Sequence, residues 1–86
     1  MNRVIYKYPL RLVAVQSIAI NVGAQILSLQ LQFNTPTLWA IVNPEQPVEF
    51  LTVVIEGTGQ EHAEEYSRHL GTVQHEGMVW HFFTRP

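Results

Sequence analysis

Aromatic rings and cations alternate near the start of the chain as Tyr6-Lys7-Tyr8, with Arg11 close behind, and the same mixture returns at Trp39, at Tyr66-Ser67-Arg68 and at Trp80-His81. Rings that stack and side chains that fork onto anions are what recognition of nucleobases and phosphates requires. In a small β domain most aromatic rings serve the core, so Trp39 and Trp80 have that second reading. Tyr6 and Tyr8 share one face of an extended segment, with Lys7 on the other. Gly57-Thr58-Gly59 resembles a fragment of an anion-cradling loop, because glycines let backbone amides approach a phosphate. It lacks the Gly-Lys-Ser/Thr continuation and a following long helix, so it also reads as a turn that ends a strand.

The remaining chemistry-bearing residues argue against catalysis. The chain has no cysteine, no aspartate and no Gly-x-Ser-x-Gly elbow, so an oriented nucleophile and base are not indicated. Glu61, Glu64 and Glu65 cluster in a polar stretch that reads as a solvated helix face, without the burial that raises carboxylate pKa values. His62, His69, His75 and His81 raise the question of a metal. His69 and His75 lie an even number of residues apart, which places them on one strand face with His81 opposite. Without thiolates, Asp or a His-x-x-x-His helix this spacing is not a known site, and surface or stacking histidines are expected instead. The expectation is a non-enzymatic protein with no cofactor and no metal.

These residues must be held by short strands. Gln25 to Phe33 alternates Leu27, Leu29, Leu31 and Phe33 with Ser28, Gln30 and Gln32, the pattern of a strand with one wet face. Asn34-Thr35-Pro36-Thr37 is expected to turn the chain into a second strand, Leu38 to Val42. Pro44 and Pro47 break it. Val48 to Glu56 is rich in β-branched residues and stops at Gly57-Thr58-Gly59. Upstream, Arg3 to Tyr8 and Val13 to Ile20 are extended candidates separated by Pro9 and closed by Asn21-Val22-Gly23. Downstream, Gln60 to Arg68 is the only stretch whose composition favours a helix, a short one. Leu70 to His75 and Met78 to Thr84 flank Glu76-Gly77, a tight hairpin connection. About seven strands and at most one short helix predict an all-β domain, a small antiparallel sandwich or a partly open barrel.

The whole chain of 86 residues reads as one domain, with no repeat and no linker. Composition sets further limits, with 47% hydrophobic and 14% charged residues, a net charge of −2 and a pI near 6.0. Disorder is excluded by that composition, and duplex DNA binding lacks the basic field it needs. No stretch approaches the ~20 apolar residues of a membrane span. A thin core with no disulfide to staple it makes a homo-oligomer the expectation.

Several segments taken together resemble a widespread family of small tailed-phage and prophage proteins that carry a domain of unknown function. They are Tyr6-Lys7-Tyr8-Pro9-Leu10, Gly23-Ala24-Gln25-Ile26-Leu27-Ser28-Leu29-Gln30, Leu38-Trp39-Ala40, Gly57-Thr58-Gly59, Leu70-Gly71-Thr72-Val73-Gln74 and Val79-Trp80-His81-Phe82. The chain departs from that pattern at Ile41-Val42 and in the glutamate-rich stretch after Gly59. The resemblance implies a phage-encoded protein of the host cytoplasm that counteracts antiviral defence by sequestering a cyclic nucleotide signal as an oligomeric sponge. Under that reading Tyr6, Tyr8 and Trp39 stack on bases, Lys7, Arg11 and Arg68 hold phosphates, Thr58 and Gly59 supply donors and His81 meets a base edge. The alternatives are a protein-binding inhibitor of a host enzyme and a minor structural phage protein.

Overall fold

The computed structural model describes residues 2–63 and 68–85, and these form seven antiparallel strands in two sheets without closing into a barrel. The strands are β1 (Val4–Pro9), β2 (Val15–Asn21), β3 (Gln25–Gln32), β4 (Thr35–Val42), β5 (Val48–Gly57), β6 (Arg68–His75) and β7 (Met78–Arg85). One sheet has the order β1-β4-β3 and the other β2-β5-β7-β6. The chain therefore changes sheet after β1, after β2 and again after β4. Among the described residues no helix is long and apolar enough to cross a membrane. Gln60 to Ala63 is not helical, and Glu64 to Ser67, the rest of the expected helix before Arg68, lie outside the described residues.

The core lies between the inner faces. Leu38, Ala40 and Val42 of β4 and Val53 and Phe82 opposite them are almost fully buried. Leu29 and Leu70 join them where β3 and β6 close one side of the sandwich. The approach there is close: a Cβ on Gly71 would stand 3.0 Å from Leu29 Cβ and 3.3 Å from its carbonyl oxygen. A side chain there would oblige Leu29 to give way by a few tenths of an ångström, and glycine lets the two sheets meet without that shift.

The first hairpin corrects the sequence reading. The turn is Phe33-Asn34, not Asn34 to Thr37, and β4 begins at Thr35 with Pro36 inside it. Pro36 is tolerated because its carbonyl faces the β1 side, where it accepts from Leu10 N at 2.8 Å, so its missing N–H is not owed to β3. Phe33 and Asn34 both have positive φ, 49° and 63°, as a two-residue hairpin turn demands. Asparagine suits that conformation, whereas phenylalanine is strained in it. Phe33 is also 94% exposed, so nothing is gained by packing in return. Phe33→Asn should accordingly stabilise the domain by about 0.5–1 kcal/mol, seen as a rise of a few degrees in melting temperature. An unchanged or lower melting temperature would show that Phe33 makes up for its strain elsewhere.

A second correction concerns the histidines. An extra residue between His69 and Gly71 shifts the register of β6 against β7. A one-residue bulge reverses which face the following residues occupy. His69 and His75 therefore fall on opposite faces, and Thr72, not a histidine, sits across from His81.

Candidate functional site

The three-stranded sheet turns one face to the core and leaves the other uncovered by any strand. In β4, Leu38, Ala40 and Val42 point inward, so Trp39 and Ile41 point outward, while Thr37, on their side of the strand, is buried. Lys7 of β1 pairs with Trp39 on one side, and Leu27 and Ser28 together oppose it at a bulge on the other. Ile5 and Gln25 flank Ile41 in the same way. Lys7 reaches along the face to donate from Nζ to Gln32 Oε1 at 2.9 Å, and Arg3 Nη2 donates to Gln25 Oε1 at 3.3 Å. The result is a half-buried indole bordered by apolar Ile5, Leu27 and Ile41, by two cations and by a row of side-chain amides.

The face carries no carboxylate, because the first acidic residue of the chain is Glu45. The chain before it holds Arg3, Lys7 and Arg11 for a net charge of +3, and the chain from it onward holds all seven glutamates for −5. A modest total charge of −2 thus conceals a positive first half of the chain, whose Arg3 and Lys7 go to the three-stranded sheet, and a negative second half. Of the residues expected to bind ligand, Lys7 and Trp39 are brought side by side here. Arg3 belongs with them and was missed. The signal that finds it is the run of residues without an acid.

Tyr6 and Tyr8 do not join that face. They pair with Ala40 and Leu38, on the core side of β1, as the alternation with Lys7 requires. Tyr8 packs against both core clusters, and its hydroxyl is buried with no hydrogen-bond partner among the described residues. Burial pushes its phenol above the ordinary value of 10.0, and the neighbouring Tyr6 adds to the shift. Tyr8→Phe removes an unsatisfied polar atom and should stabilise the fold by about 1 kcal/mol in urea melts at neutral pH. The sign of the pH effect follows from the raised value. The neutral phenol's contribution holds below pH 10 and is lost as the pH rises through the folded-state pKa, so the variant should lose less stability than the parent at high pH.

Thr58 and His81 meet on the outer face of the four-stranded sheet, with Gly59 in the turn beside Thr58, away from Lys7 and Trp39. His81 is clamped at both ring nitrogens, Nε2 to Thr58 Oγ1 at 2.8 Å and Nδ1 to Thr72 Oγ1 at 3.0 Å. Thr72 Oγ1 in turn lies 3.0 Å from His69 Nε2. Beside this chain His62 Nδ1 meets Glu56 Oε1 at 2.8 Å, and the Phe83 ring is flanked by His62 and His69 with centroids 5.0 and 5.2 Å away. Gly59 has φ +96° in the turn after β5 and open space around its Cα. Among the described residues no cluster of three ligating side chains is placed to hold a metal.

The two remaining candidates stand apart. Arg68 borders a cleft of about 350 Å³ at one end of the sandwich, with Ile20, Ile26 and Leu51 as its apolar walls and Glu49 also on its lining. Arg11 sits in the connection from β1 to β2, where its backbone N–H and carbonyl are both bonded by the buried Gln16 side chain, at 3.1 and 2.6 Å. The single chain therefore gathers two of the anticipated residues on its positive face and disperses the others.

No curated protein and no solved structure matches this chain. A family match runs over residues 1–86 of the 86-residue sequence. The chain belongs to the family described as Domain of unknown function (DUF7352).

Proposed function

We propose that this protein is a non-enzymatic nucleotide-binding protein whose ligand lies on the outer face of the three-stranded sheet. The observation that carries the reading is Trp39 beside Lys7, with Arg3 beyond, on strands free of any carboxylate. An indole offers a base a stacking surface worth about 1–3 kcal/mol. Lys7 and Arg3 supply charge for phosphates, and Gln25, Gln30 and Gln32 supply donors and acceptors for base edges. The finer form of the reading is the one the phage resemblance implies, stoichiometric capture of a cyclic nucleotide signal in the cytoplasm of an infected host. Such a role needs tight equilibrium binding and no catalytic group.

A screen of the purified protein against cyclic di- and trinucleotides and NAD-derived nucleotides, read by melting temperature, tests this. Ligand at ~1,000 times its dissociation constant adds ~4 kcal/mol to the folded state. One nucleotide class should raise the melting temperature by many degrees, and Lys7→Glu should abolish the rise. A folded sample that shifts with none of them would overturn the reading. Phe33, strained and 94% exposed at a hairpin tip, favours a protein partner as the second reading.

A further inference from the structure

Each sheet has two edge strands, and three of these four carry the features that ordinarily keep an edge from pairing with another chain. β1 has Lys7 and Pro9, β3 is bulged at Leu27, and β6 has Arg68 and a bulge between His69 and Gly71. β2, Val-Gln-Ser-Ile-Ala-Ile-Asn, has no charge, no proline and no bulge. Its backbone direction is fixed by two bonds at its ends. Ile55 N donates to Ala14 O at 3.0 Å and Val22 N donates to Pro47 O at 2.8 Å, so even-numbered residues turn their backbone groups toward β5. Val15, Ser17 and Ala19 therefore direct their N–H and C=O groups to the open edge. Asn21 leaves that row, because its carbonyl accepts from Ala24 N.

We infer that β2 pairs antiparallel with β2 of a second copy of this chain, about a two-fold axis at Ser17, joining two four-stranded sheets into one of eight strands. In that register Ser17 meets the second copy's Ser17 and Val15 meets the second copy's Ala19, which uses all three outward-directed residues. The side chains agree with it. Ala19 stands beside Phe50 and Val15 beside Val54 within one copy. Pairing lines up Phe50, Ala19, the second copy's Val15 and its Val54 as one apolar row, and the symmetry repeats the row. Phe50 is 76% exposed and Val15 48% exposed in the single chain, and the small Ala19 between them leaves room for the ring to lie across the seam. The central row is Thr52, Ser17 and their two copies, so no charge enters the interface. A self-complementary patch of this kind closes as a dimer and does not propagate. The Trp39 face belongs to the other sheet and stays open, so this inference does not depend on the ligand reading.

Sedimentation of the intact chain at about 100 μM should give twice 9.9 kDa, and Ala19→Lys, which puts an ammonium into each apolar row, should give a monomer. Because the chain has no cysteine, Ser17→Cys places a single thiol on the axis. Cα atoms in such a pair are about 5.5 Å apart, inside the range a disulfide spans. Oxidation should cross-link Ser17→Cys at least tenfold faster than Gln74→Cys on edge strand β6. A monomeric wild type, a dimeric Ala19→Lys, or equal cross-linking rates for the two cysteine variants would each overturn the inference.

Discussion

Phe82→Ala is expected to cost about 3–5 kcal/mol, the largest effect of any single truncation in this domain. A chain of 86 residues has on the order of 4–13 kcal/mol in total at typical stabilities per residue. Phe82 has no exposed surface, and its β-ladder neighbours are Ile55 and Gly71. The cavity it leaves cannot easily collapse, because Gly71 already brings β6 against Leu29 of the facing sheet. Urea denaturation followed by circular dichroism should show the midpoint falling by half or more, or no folded baseline at 37 °C. A loss below about 1 kcal/mol would mean that the sheets repack around the gap, and that the core is less fixed than its burial implies.

Trp39→Ala is expected to weaken nucleotide binding by about 1–3 kcal/mol, which is roughly 5–150-fold. The side chain faces outward, so the fold should survive with a modest stability loss. Trp80 provides the internal control. It occupies a core-side position against Gly57 and Val73, and its fluorescence should change little when ligand binds. Trp39→Phe should recover part of the affinity, because a smaller ring still stacks. Undiminished affinity in Trp39→Ala would move the ligand off this face.

Period-two alternation made Gln25 to Gln32 legible as a strand, though Phe33, expected to continue it, turns the chain, and it set Lys7 opposite Tyr6 and Tyr8 correctly. Glycine placed the turns after β5 and between β6 and β7. Pro36 misled the reading because proline breaks strands only where its N–H is owed to a neighbour, and that depends on a register that composition does not contain. The bulges at Leu27 and at His69 were invisible for the same reason, since an added residue announces itself only by comparison with its partner strand. Trp39 lies in a run that is apolar on both faces, Leu38 to Val42, so alternation could not say which side was wet. Assignment of strands to sheets was beyond reach, because period two fixes a face and not a neighbour. The scatter of Thr58, His81, Arg68 and Arg11 follows from that.

The hydrogen-bonded series Thr58, His81, Thr72, His69 has no built-in polarity. Every hydroxyl in it can give one proton and accept another, and a neutral imidazole does the same through its two nitrogens. All the protons can run from Thr58 toward His69, or all the other way, with every heavy atom in place. Neither direction leaves a member unsatisfied, and as long as Thr72 gives its proton along the series a reversal at one of its links reverses the other. With Thr72 donating within the series, the tautomers of His81 and His69 are coupled through its hydroxyl. A donor or acceptor arriving at Thr58 would bias the tautomer of His69 two strands away, through Thr72, without moving the backbone. Imidazole nitrogen resonances of the two histidines would report it as one exchange process with a common rate.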